Sequence, residues 1–117
     1  MRPNLLAWQW GDYAEKHASP ANVAIHLVAV PLAWVGLAGV LAGPFAGWRI
    51  AATGAVAFGL ALAAQGRGHR MEGSAPAPFR GPADFVTRFL AEQLVTFPRF
   101  VISGGAARVL RRQNRPS

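Results

Sequence analysis

The chain has 117 residues, enough for one domain, and no cysteine, which excludes a disulfide frame, a thiolate metal site and a cysteine nucleophile. It is 52% apolar and carries a net charge of +7, with twelve basic residues against five acidic ones. The arginines flank apolar blocks rather than lining one face, so the charge points to anionic lipid head groups and topology signals, not to nucleic acid.

The first stretch, MRPNLLAWQWGDYAEKH, has one early Arg and no adequate apolar core before Asp12, so no signal peptide is expected. It predicts a short amphipathic helix over about 5–17, with Trp8, Trp10 and Tyr13 as an interfacial aromatic belt. A second helix is predicted over about 20–41. Ser19 suits its N-cap, Pro20 its first turn, and Gly43-Pro44 its end. Val23 to Ala42 is uncharged, with only His26 clearly polar; these twenty residues make about 30 Å of helix, the thickness of a bilayer core. A third helix, rich in Ala and Gly, is predicted over about 46–65 and stopped by Gly66 and Gly68. Gly36, Gly39, Gly54 and Gly59 would let the two long helices approach closely. Lys16 precedes this hairpin and Arg67, Arg70 and Arg80 follow it, whereas the connection holds only Arg49. By the positive-inside rule both outer ends face the cytoplasm, across the inner membrane if the source is bacterial.

After the loop GSAPAPFRGP a fourth helix is predicted over about 82–102, interfacial or packed on the hairpin. It carries Arg88, Glu92 and Arg99 among apolar residues, and Arg88 and Glu92, four apart, are close enough to pair. Residues 106–117 read as a basic, frayed tail. The fold class is therefore all-α: a small integral membrane helical bundle, a transmembrane hairpin plus amphipathic N- and C-terminal helices, in one domain over 1–117.

The chain has three histidines. His17 and His26 are nine apart and would face opposite sides of one helix, but the Ser19-Pro20 break lets the His17 segment turn back. Asn22 and His26 share a face, and His69 and Glu72 are three apart. An antiparallel hairpin sets Pro20–His26 beside Leu62–His69, which gathers His17, His26, His69 and Glu72 at one end. Such a group suits non-haem iron bound by imidazole and carboxylate, or tetrahedral zinc, or a histidine general base without metal. An ionisable residue at membrane depth is costly and marks a functional site.

These residues also carry a resemblance. HASPANVAIHLVAVPL, His17 to Leu32, followed by QGRGHRMEGSAPA, Gln65 to Ala77, is similar to a small membrane family of 2-hydroxy fatty acid dioxygenases of fatty acid α-oxidation, with fungal and bacterial members. The similarity spans roughly residues 13–100, with Ala29 and Arg67 departing from the usual pattern. The resemblance implies ferrous iron, Fe(II), held by His17, His26 and His69, with Glu72 as ligand or orienting group and Asn22 and Gln65 supporting them. It implies O2-dependent loss of the carboxyl carbon of a long-chain 2-hydroxy acid. Arg67 or Arg70 would attract the substrate carboxylate. Homo-oligomers are left open. The competing expectations are a non-catalytic membrane protein with a structural metal or a bound lipid, and a metal-dependent lipid hydrolase.

Overall fold

Ser19 and Pro20 start the longest helix as predicted. In the computed structural model, which describes residues 2–112, the Ser19 hydroxyl accepts a hydrogen bond from the Asn22 N–H at 3.4 Å, and Pro20 opens the first turn. The described residues form α1 (Leu5–Gly11), α2 (Tyr13–Lys16), α3 (Pro20–Ala46), α4 (Trp48–His69) and α5 (Pro82–Ala91). A π turn (Glu92–Thr96), α6 (Phe97–Ile102) and α7 (Gly105–Arg112) complete them, and no strand occurs among the described residues.

Both helices of the hairpin, α3 and α4, run further at their C-terminal ends than predicted. Pro44 withdraws one backbone bond, but its fixed φ is helical, so α3 continues to Ala46 until Gly47 turns the chain at φ +107°. Gly66 and Gly68 likewise stay helical, and α4 ends only at His69. Backbone meets backbone where the helices cross. A Cβ on Gly36 would stand 2.6 Å from the Phe58 nitrogen, and one on Gly54 would stand 2.6 Å from the Gly36 carbonyl oxygen. Gly39 joins this seam; Gly59, expected there, faces outward with nothing within 4 Å of a Cβ.

The outer elements cover one end of the hairpin. The predicted N-terminal helix breaks at Asp12 into α1 and α2. Tyr13, Val23, Val30, Phe97, Phe100, Ala106 and Val109 form one buried cluster that ties this segment to α3, α6 and α7. Residues 106–112 are thus part of a docked helix rather than a frayed tail, with Ala106 and Val109 buried; 113–117 lie outside the described residues. Elsewhere the hairpin shows apolar side chains outward, Val28, Val35, Leu41, Phe45, Val56 and Leu60 being 61–93% exposed. Both α3 and α4 are long and apolar enough to cross a membrane.

Arg88 does not pair with Glu92. It lies 3.4 Å from Asp84, four residues before it. Asp84 also accepts from the Arg80 N–H at 3.0 Å and from Arg2 Nε at 3.0 Å, which ties the N-terminus to the first turn of α5. The Arg80 N–H first, then the guanidinium groups of Arg2 and Arg88, lower the Asp84 carboxyl from 3.8 to about 2. A carboxyl depressed in the folded state stabilises it above the unfolded pKa and loses that contribution as pH falls through the folded one. The thermal midpoint of Asp84→Asn should therefore lie below wild type at a constant offset above about pH 5, and the offset should shrink as pH falls and be lost below pH about 2.

Candidate metal centre

Helix spacing aims the first two histidines. His17 Nδ1 lies 2.9 Å from the Tyr13 carbonyl oxygen, and His26 Nδ1 lies 3.0 Å from the Asn22 carbonyl oxygen, each one turn back. A carbonyl oxygen only accepts, so both Nδ1 atoms carry the proton and both Nε2 atoms present lone pairs. His69, the last residue of α4, arrives from the other arm of the hairpin. The three ring centroids lie 4.9–5.0 Å apart, with ring planes close to mutually perpendicular (79–88°). His17 and His26 are 2% and 0% exposed.

The carboxylate that meets them is Glu92. Its Oε2 stands 3.0 Å from His17 Nε2 and 3.6 Å from His26 Nε2. Ligand atoms of His17, His26, His69 and Glu92 all fall within 4.8 Å of one another. Glu92 is the residue at which α5 passes into the π turn. Pro98 has no N–H to return to the carbonyl of residue 94, and the helix widens so that Phe97 N–H donates to the Glu92 carbonyl five residues back. Glu92, Gln93 and Thr96 of this turn are all buried. Burial by itself pushes the Glu92 carboxyl up; positive charge shared with His17 and His26, a proton on Nε2 or a cation in its place, outweighs it and holds the group well below the usual carboxylate range, so Glu92 is an anion. The Tyr13 hydroxyl donates to the same Oε2 at 2.7 Å, while its ring stacks on His17 with centroids 3.8 Å apart. Burial, then the charge of Glu92, raises the Tyr13 hydroxyl well above its ordinary value and keeps it a donor.

His17 Nε2, His26 Nε2 and His69 Nδ1 are buried without a hydrogen-bond partner. Lone pairs and a carboxylate oxygen at this separation repel one another unless a cation lies among them. Three imidazoles and one carboxylate fit a first-row divalent ion, whose bonds of about 2.1 Å would draw the four groups slightly inward.

Glu72, expected as ligand or orienting group, is not among these four residues. Its carboxylate accepts from the Ala18 N–H at 3.0 Å, the Ser19 N–H at 3.0 Å and Asn22 Nδ2 at 2.6 Å. It latches the end of α4 to the start of α3, beside His17. Gln65 sits next to the cluster, exchanging two hydrogen bonds with Gln93, at 2.8 Å and 2.7 Å, which lock α4 to the π turn that carries Glu92.

A cavity of about 600 Å³ opens onto the cluster, with His17, His69 and Glu92 in its wall. Arg70 lines its rim and is exposed; Arg67 is exposed and does not line it. Sequence reading missed two further cations in the wall, Lys16 and Arg88. Lys16 donates to Ser74 Oγ at 2.8 Å, and Arg88 donates to the Ala77 carbonyl at 2.9 Å, so both tie down the loop that covers the cavity. It also missed Glu92, which the spacing to Arg88 had absorbed.

No curated protein and no solved structure gives a match. The family model described as "2-hydroxy-palmitic acid dioxygenase Mpo1-like" matches residues 4–97, most of the chain and all four residues of the cluster, and the chain belongs to this Mpo1-like family.

Proposed function

We propose that this chain is an Fe(II)-dependent dioxygenase that converts long-chain 2-hydroxy fatty acids into fatty acids one carbon shorter. The observation that carries the reading is the buried, unpartnered Nε2 pair of His17 and His26 facing an anionic Glu92 in the wall of a cavity. The family's description supports the substrate class. The atoms balance without an external reductant: the 2-hydroxy acid and O2 give the shortened acid, CO2 and water, the substrate supplying all four electrons.

His17, His26, His69 and Glu92 would hold the iron, which when bound supplies the oxygen chemistry and open positions for the hydroxyl and carboxylate of the substrate. Three neutral imidazoles and one carboxylate leave a divalent centre with net charge of about +1, which favours an anionic chelating substrate. Tyr13 and Glu72 fix the ligands, the former through Glu92, the latter through Asn22 and the backbone beside His17. Phe97 and Phe100 pack on the histidine rings and exclude water from behind. Arg70 at the rim is the better placed of the two expected arginines to draw in the carboxylate. Only 33% and 17% of the most apolar stretches of α3 and α4 are buried within the protein, which supports a hairpin embedded in lipid. Lys16, Arg67, Arg70 and Arg80 favour a cytoplasmic site, at the inner membrane in a bacterial cell.

Detergent-purified protein is expected to hold about one iron per chain and to consume O2 only when a 2-hydroxy acid is added. In His26→Ala the rate should fall beyond the roughly 10–100-fold that loss of an outer-sphere partner costs. Full activity of metal-free protein would overturn the reading. Oxygen-independent lipid cleavage with zinc would replace it with a hydrolase, and metal bound without turnover would replace it with a structural site.

A further inference from the structure

We propose that the face of α4 bearing Leu62, Gly66 and His69 is one wall of the groove that takes the acyl chain, and that Gly66 sets the width of that groove. The inference rests on the proposed 2-hydroxy acid substrate. Residues 62, 66 and 69 are spaced by four and three, so they form one stripe along the helix. All three line the same cavity, with Phe85 and Phe89 of α5. Leu62 lies about 10 Å along the axis from His69. The cavity therefore has two ends. Lys16, Arg70, His17 and His69 stand at one; Leu62, Phe85 and Phe89 stand at the other, where the guanidinium of Arg88 is taken up by the Pro78 and Ala77 carbonyls. Phe89 meets Phe58 edge to face at 5.5 Å and lies parallel to Phe85 at 6.0 Å, which closes the far end with aromatic surface. A polar head held at the cluster and an alkyl tail running towards Leu62 match this gradient.

Gly66 is the second observation. A glycine inside a helix costs about 1 kcal/mol relative to alanine. Gly36, Gly54 and Gly68 have a packing reason, because a Cβ on any of them would collide with an atom of the facing helix. Gly66 has none, since nothing lies within 4 Å of a Cβ there. Gly59 is equally open but does not line the cavity, which makes it the natural control.

The test uses the iron-loaded protein in detergent, with Gly66→Phe beside Gly59→Phe. For Gly66→Phe, kcat/KM on a long-chain 2-hydroxy acid should fall about tenfold or more relative to a short-chain one, with iron content unchanged. Gly59→Phe should keep the wild-type ratio. A second arm needs no turnover: a brominated long-chain fatty acid without the 2-hydroxyl should quench Trp8, which lines the cavity, and Gly66→Phe should weaken that quenching. Equal losses on both chain lengths, or unchanged selectivity and quenching, would overturn the groove. If wild-type protein turns over no 2-hydroxy acid, the proposed reaction fails and the quenching arm alone decides the groove. If Gly66→Phe does not fold, Phe89→Ala should shift preference towards longer chains, and an unshifted preference would overturn the assignment.

Discussion

Glu92→Gln is expected to leave the centre almost without metal, while Glu72→Gln keeps it. The two glutamates are the chemically equivalent candidates for the fourth ligand, and their surroundings separate them. Glu92 presents an anionic oxygen 3.0 Å from His17 Nε2, in a site with no other carboxylate among its four residues. Its amide would remove that charge and would also place an N–H donor within reach of an imidazole lone pair, so hydrogen bonds would stabilise the metal-free state. Affinity should fall by more than the roughly 100-fold typical of outer-sphere losses. Glu72 spends its oxygens on the Ala18 and Ser19 N–H groups and on Asn22 Nδ2. Glutamine keeps one acceptor for the backbone and loses the charge at the start of α3, a cost of about 1 kcal/mol in stability. Its metal affinity should drop by no more than about 10–100-fold. Metal per chain after dialysis against graded chelator, read with the thermal midpoint, separates the two. Metal lost from Glu72→Gln and retained by Glu92→Gln would move the ligand to Glu72 and dismantle the centre described above.

Much of that centre was legible before any coordinates. The apolar block after Ser19-Pro20 fixes where α3 begins, and hairpin closure then brings His17, His26 and His69 to one end, because the ends of antiparallel helices must meet. Glu92 was not legible, since its partner depends on which group Arg88 prefers. It stands four residues from Arg88 on regular helix and both line the cavity, so spacing alone pairs them; what separates them is that Glu92 meets the histidines. Arg88 meanwhile finds Asp84 and the carbonyls of the covering loop. The helix stops at Gly43-Pro44 and Gly66 also failed, for a related reason. Local propensity there is weak beside tertiary packing, and the seam of α3 and α4 rewards helix on both sides. Arg67 illustrates a third limit: composition identifies a cation near the site, but its place around the helix decides whether it reaches the cavity.

Gly68→Ala sets local propensity directly against packing. In an exposed helix this change stabilises by about 1 kcal/mol. Here the new Cβ would overlap Asn22 Oδ1. Asn22 is 0% exposed and its amide nitrogen is held by Glu72 at 2.6 Å, so the oxygen has no room to retreat. The end of α4 must move away from α3 instead, and the next residue is His69. The variant should therefore lose about 1–3 kcal/mol of stability, the usual cost of overpacking, and bind metal more weakly. Gly59→Ala on the same helix meets nothing and should not destabilise. Adding Asn22→Ala to Gly68→Ala removes the overlapping oxygen, so the double variant should recover stability relative to Gly68→Ala alone, a non-additivity measurable as a double-mutant cycle. It should not recover full metal affinity, because the Asn22–Glu72 latch is then missing. If Gly68→Ala proves as stable and as metal-replete as wild type, the two helices do not meet as closely at the histidine end as the overlap requires, and His69 is not held by packing at that crossing.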